Sequence, residues 1–203
     1  MTIARMDPDP RLAAPLHPLL GERRSVSRFD ERFEVPHEDL LSLLEAARWA
    51  PSSGNEQPGR WVVVPRGHPR RERVEAALKP GNAWAKRASL LVVSVAKLTR
   101  AKGGDRDPNP WAEHDTGLAT AFLLVQAAAR GLATHPMGGW DADALREALE
   151  IPAAYRPLSV TAVGRHDPEL RDEKLEEREA RPRTRRALGE IAFLGALGEE
   201  PFS

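Results

Sequence analysis

Apolar positions recur along the chain with two spacings, one helical and one extended. Leu40, Leu41, Leu43, Leu44, Ala47 and Trp49 follow at helical spacing, so a helix is expected from Pro36, which suits a first turn, to Pro51, which ends it. A short helix over Leu16 to Gly21 is expected before it. Trp61-Val62-Val63-Val64, bounded by Pro65, reads as a short buried strand. Leu90 to Ala96 is the strongest strand in the chain, and its two-sided apolarity places it centrally in a sheet. From Glu113 to Arg130 the residues Leu118, Ala121, Phe122, Leu124, Val125 and Ala128 make a helix that is apolar nearly all round and closed by Gly131. Such a helix is expected to be buried, within the domain or against another subunit. Asp141 caps a helix that runs to Leu149, and Leu158 to Gly164 is a third strand.

Polar stretches join these elements. Pro69 to Lys79 reads as a solvated helix and Asn82 to Lys86 as a short one, while Thr99 to Pro110 and the turn-rich Thr134 to Trp140 read as links. Asp167 to Arg186 alternates Glu, Arg and Lys, which suits a solvated helix or a flexible crossing. Residues 1–15, with prolines at 8, 10 and 15, are expected to be extended or poorly ordered, and residues 16–203 to form one domain. Helices and strands interleaved in this order predict a mixed α+β layer rather than a sandwich or barrel.

Composition narrows the function classes. Thirty basic residues balance thirty acidic ones, so no overall field favours nucleic acid or an anionic membrane, and any anion site must be local. The chain has no cysteine, which excludes disulfides, thiolate metal sites and a cysteine nucleophile. Its six histidines lack metal-ligand spacing, so no metal site is expected. No GxGxxG, P-loop or GxSxG motif occurs, which disfavours a Rossmann nucleotide site and serine hydrolysis. The longest apolar run is far short of a membrane span and the N-terminus lacks an apolar signal core, so the expected compartment is the cytoplasm.

Three short constellations could carry chemistry. Arg23-Arg24-Ser25 places two guanidinium groups and a hydroxyl in one loop, which suits a phosphate clamp and equally suits a solvated surface patch. A second basic group, Arg181, Arg183, Arg185 and Arg186, has the same two readings. Pro51-Ser52-Ser53-Gly54-Asn55-Glu56-Gln57-Pro58 can offer hydroxyls, amides and backbone N–H groups to a polar heterocycle, or be an ordinary helix-to-strand connection. Pro136-Met137-Gly138-Gly139 is a place where a backbone can approach a flat ligand, or a plain turn.

Taken in order, these pieces resemble the nitroreductase family of flavoproteins. The resemblance is carried by Arg23-Arg24-Ser25-Val26 with Phe29, by Ala50 to Pro58, and by the helix with Asp115 and Gly117 that ends in Ala128-Ala129-Arg130-Gly131-Leu132. Pro136 to Trp140, Leu149-Glu150-Ile151-Pro152 and Arg183 and Arg185 before Leu188-Gly189-Glu190-Ile191 continue it over roughly residues 18–192. It implies a central, mainly antiparallel sheet surrounded by helices, an intertwined homodimer, and two FMN sites shared between subunits. Arg23, Arg24, Ser25, Arg183 and Arg185 would hold the FMN phosphate and ribityl chain. Pro51, Ser52, Ser53 and Asn55 of the other subunit would surround the ring, with Gln57 in support. Pro136, Met137, Gly138 and Gly139 would lie against the flavin.

The implied activity passes hydride from NADH or NADPH through flavin N5 to a small electron-poor acceptor such as a nitroaromatic or quinone. An enone or halogenated aromatic is an alternative substrate, and a non-catalytic flavin-binding protein is an alternative role. The step needs orientation and electrostatics rather than an acid or base from the protein. Two positions depart from the family pattern. Ser27 stands where the family usually has Arg or Lys, leaving a weaker partner for the reduced flavin unless Arg28 takes over. Gly59 stands where a Trp often follows Gln-Pro, with Trp61 two residues on.

Overall fold

A strand that is apolar on both faces must be covered on both, and the position of Leu90–Lys97 shows how. In the computed structural model, which describes residues 14–100 and 107–201, four strands form one antiparallel sheet in the order β1-β2-β4-β3. They are β1 (Gly59–Pro65), β2 (Leu90–Lys97), β3 (Ala133–Met137) and β4 (Tyr155–Gly164). Strand β2 is central, and its side chains alternate between two cores. Leu91, Val93 and Val95 enter one with Phe29, Trp84, Met137, Val160 and Ala162. Leu90 and Val92 enter the other with Leu43, Ala47, Ala119, Leu123, Ala127 and Val163.

Helices complete the two outer layers. On the second face lie α2 (His37–Arg48) and α4 (Ala112–Ala129), and on the first α3 (Arg71–Ala76), α5 (Ala142–Leu149) and the 3₁₀ segment Pro80–Arg87. Helix α1 (Pro18–Glu22) precedes them, and α6 (Glu173–Ala180) buries one leucine, Leu175, against the first core. The expected α+β architecture of an antiparallel sheet surrounded by helices is therefore the observed one. Residues 1–13 and 101–106, where part of the extended N-terminal segment and of the Thr99–Pro110 loop were expected, lie outside the described residues.

One expectation needs correction, and a second is narrowed to one of its two alternatives. Thr134 to Trp140 is not merely a link: Ala133–Met137 is strand β3, paired to β4 from Ala133–Gly164 to Met137–Val160. Pro136 hid it, yet a proline fits here because β3 is an edge strand with one side free of ladder bonds. Helix α4 is not buried all round either. Ala112, Thr116, Ala119, Leu123 and Ala127 face the core, while Leu118 and Phe122 remain 37% and 45% exposed. Its stop is as expected, with Gly131 in the left-handed region at φ 71°.

Candidate functional site

The residues singled out in the sequence gather at two corners of the sheet. The first is built on the free edge of β3. The segment after α1 runs alongside that edge, where Ser25 forms a parallel bridge to Thr134. The chain returns here from α6, and Arg183 donates to the carbonyls of Arg23, at 2.9 Å, and Gly21. Arg183 and Arg185 both act electrostatically on Arg23, so three guanidinium groups from opposite ends of the chain converge. Burial first, and then these two cations, holds the Arg23 guanidinium below its ordinary pKa. Such a concentration of positive charge is costly unless an anion neutralises it.

Unpartnered polar atoms mark the same corner. Among the described residues, Arg23 Nη1, Ser27 Oγ and Thr134 Oγ1 are buried without a hydrogen-bond partner. Ser27 is fully buried and Thr134 nearly so. Buried polar groups are rarely left unsatisfied, so three on adjacent segments make this corner a candidate for a polar ligand. Beside them His135 donates from Nδ1 to the Val26 carbonyl at 2.7 Å and lies 4.4 Å from the Trp84 ring. Burial, with smaller contributions from Arg178 and Arg23, outweighs the bond to Val26 and favours neutral imidazole.

Other basic residues turn out to have structural tasks. Arg24 donates to the carbonyls of Glu179, at 2.9 Å, and Arg181, at 3.2 Å, tying the first loop to the end of α6. Arg28 cannot replace the missing cation at position 27. Its Nε donates to Glu179 Oε2 at 2.9 Å and its Nη1 to the Pro168 carbonyl at 2.8 Å. Glu179 also accepts the backbone N–H groups of Ser27, at 2.5 Å, and Arg28, at 2.8 Å. Burial pushes the Glu179 carboxyl up, but these bonds and that from His166 together outweigh it and hold the group below the usual carboxylate range.

Pro136 to Gly139 belong to this corner. Met137 turns its side chain into the first core, so only its backbone is available. A side chain at Gly138 would meet no atom within 4 Å, whereas one at Gly139 would come within 2.8 Å of Asn82 Nδ2. The two glycines therefore differ: a side chain at Gly139 would displace the Asn82 amide, and one at Gly138 would displace nothing. The Gly139 carbonyl accepts from Asn82 Nδ2 at 2.9 Å, which fixes the end of the segment.

The second corner is the loop ahead of β1. Ser52 accepts the Gln57 N–H on its hydroxyl at 3.0 Å, Ser53 donates its N–H to Asp115 at 2.9 Å, and Gln57 Nε2 donates to Asn55 Oδ1 at 3.0 Å. Gly54, Asn55 and Gln57 all have positive φ, at 58°, 56° and 47°. For Asn55 and Gln57 that conformation costs on the order of 1 kcal/mol each, which the surrounding bonds must hold in place. Pro51 and Ser52 line two clefts, of about 130 and 290 Å³, and Ser53 lines the larger. Gly59 is packed by a ring from further along the chain, since Trp61 lies 2.5 Å from where a Gly59 Cβ would stand.

One chain does not bring the two corners together. They stand at opposite edges of the sheet, three strand spacings or roughly 14 Å apart. Register adds to this, since Thr134 is level with Pro65 rather than Gly59, about 20 Å further along. Sequence reasoning missed Thr134, Asp115 as the anchor of Ser53, and Glu179. A helix of alternating charge gives no sign of which carboxylate turns inward.

Comparison with known proteins agrees with this fold. A chain described as an oxidoreductase containing FMN has the same fold at a TM-score of 0.87, with 32% identity over 97% of this chain and all of the other. A chain from Desulfovibrio desulfuricans solved in complex with FMN superposes at 0.70 with 25% identity, over 93% of this chain and all of the other. An NADH dehydrogenase of Thermus thermophilus is 28% identical over 70% of this chain and 82% of its own length. The model of the nitroreductase family matches residues 20–83 and 68–165, which include Arg23, the Ser52 loop, α4 and β3, and the chain belongs to that family.

Proposed function

We propose that the protein is an FMN-dependent oxidoreductase that takes hydride from NADH or NADPH and reduces a nitroaromatic, quinone or similar electron-poor acceptor. The observation that carries this reading is the Arg23 corner, where three cations converge, Arg23 with an unsatisfied Nη1, beside the two unsatisfied hydroxyls of Ser27 and Thr134. A phosphate monoester followed by a polyol chain answers both needs. Arg23 and Arg185 would neutralise the phosphate, with Arg183 fixing the loop and adding to the field. Ser27 and Thr134 would hydrogen-bond the polar chain and ring edge, and the bare backbone at Gly138 would admit a flat ring. Bound there, FMN supplies N5, which accepts a hydride and passes it on. Relatives named for NADH dehydrogenase activity and solved neighbours containing FMN support the assignment.

The separation of the corners supports a homodimer in which the Ser52–Gln57 loop of one protomer closes the site of the other. The apolar faces left open on the helices fit that assembly: Leu41 and Trp49 are 52% and 72% exposed near α2, and Phe122 is 45% exposed on α4. Phe122→Lys should convert the dimer to monomer in sedimentation equilibrium and release the flavin. A dimer of unchanged stability would remove α4 from the interface.

Purified protein is expected to be yellow, to be bleached by NADH or NADPH without oxygen, and to recover its colour on addition of a nitroaromatic. Colourless protein that cannot be reconstituted with FMN would refute the assignment. Gly138→Val separates ligand fit from folding. Because the new side chain meets open space, the melting temperature should hold within a few degrees while FMN affinity falls about tenfold, an outcome read by fluorescence titration.

A further inference from the structure

We propose that His114, oriented by Asp115 and edged by Trp111, donates a proton to a quinone-type acceptor held in the larger cleft beside the Ser52 loop. The inference rests on the oxidoreductase and homodimer readings above, which bring this cleft of one protomer to the flavin held by the other, and adds a residue to them. Hydride transfer itself asks no acid of the protein, but the acceptor does. Reduction of a para-quinone to its hydroquinone takes two electrons and two protons. The hydride equivalent from NAD(P)H brings both electrons and one proton, so the second proton must come from another source.

The cleft of about 290 Å³ is lined by Pro51, Ser52, Ser53, Trp111, His114, Asp115 and Leu118, near the lower limit of small-ligand pockets at ~300 Å³. In it, one buried carboxylate organises two elements. Asp115, whose side chain is 3% exposed, accepts the Ser53 N–H at 2.9 Å and faces His114 Nδ1 at 3.0 Å. A carboxylate can only accept, so Nδ1 carries the hydrogen and Nε2 is the atom left for a ligand. The Trp111 ring stands edge-on to the imidazole at 5.8 Å, which limits its rotation. In the single chain the His114 side chain is 59% exposed, so it stands at the mouth of the cleft.

The charge in this cleft is simple. Asp115 is the acidic group, Pro51, Ser52, Ser53, Trp111 and Leu118 carry none, and Glu113 is paired with Arg156 of β4. Protonated His114 would donate Nε2–H to the quinone oxygen, leaving neutral imidazole to be recharged from water. A flat aromatic would pack against Trp111, Leu118 and Pro51.

Two acceptors discriminate. Ferricyanide takes electrons without protons, and 1,4-naphthoquinone needs them. In the holoenzyme with NADH or NADPH, His114→Gln and His114→Ala should lower the ratio of naphthoquinone to ferricyanide turnover by at least tenfold, within reach of the roughly 10²-fold that a positioned proton donor supplies. The solvent deuterium isotope effect on naphthoquinone turnover should rise in both variants, whose second proton must come directly from water. An unchanged ratio in both, or an equal fall with both acceptors, would overturn the proposal. Wild-type holoenzyme that reduces neither acceptor would overturn the oxidoreductase reading and the proposal with it.

Discussion

Arg23→Ala is expected to weaken FMN binding by about 30- to 1000-fold, or 2–4 kcal/mol, the range for losing a charge-assisted contact to a buried anion. Arg23 should matter most of the three arginines at its corner. Its Nη1 is buried and unpartnered, Arg183 already spends its donors on the carbonyls of Gly21 and Arg23, and Arg185 is exposed. The charges acting on Arg23 are the cations Arg183 and Arg185, so the free protein should lose no stability on its removal. Arg185→Ala should show a smaller loss in the same direction. Arg24→Ala provides the contrast, because its guanidinium serves the end of α6, and FMN affinity should change by only a few-fold. Fluorescence titration of the apoprotein reads all three. Unchanged affinity in both the Arg23 and Arg185 variants would reduce the cluster to surface charge.

Signals that live in one residue type at a local spacing were legible in the sequence. Strand β2 declared itself by β-branched residues apolar on both faces, and α4 declared its length and its stop at Gly131. Signals that depend on a distant partner were not. Strand β3 contains His135 and Pro136, and reads as a turn until β4 is beside it. The moderate exposure of Leu118 and Phe122 contradicts full burial of α4 within the chain and leaves the expectation of packing against another subunit. At the site, Arg23 and Ser52 were legible as chemistry, but their separation at opposite corners is a property of strand order alone. The Trp61 ring lying over Gly59 is a geometric fact that no spacing rule would supply. Arg28 shows the reverse case: adjacent in sequence to Ser27, it is turned away by a carboxylate some 150 residues on, at Glu179.

That carboxylate supplies the second large effect. Glu179→Ala should destabilise the protein by about 2–4 kcal/mol, because it strands the N–H groups of Ser27 and Arg28 and leaves the Arg28 guanidinium, 13% exposed, without its closest anion. Remaining contacts of Arg28 to the Pro168 carbonyl and to Glu176, at 4.0 Å, keep the cost below that of a wholly dry pair. Glu179→Gln retains an acceptor for both N–H groups and should lose roughly half as much. Native bonding holds the Glu179 carboxyl below its ordinary 4.5, so its contribution is complete above that value and is lost as pH falls through the lower folded value. The stability difference between wild type and Glu179→Ala should therefore narrow as the medium is acidified from neutrality, and urea midpoints at several pH values will measure it. Since Glu179 also fixes the backbone that presents the Ser27 hydroxyl, FMN affinity should fall in the alanine variant even where the fold persists. Stability within 0.5 kcal/mol of wild type at neutral pH, a margin typical of surface substitutions at about that size, would mean that the link between α6 and the Ser27 segment is incidental.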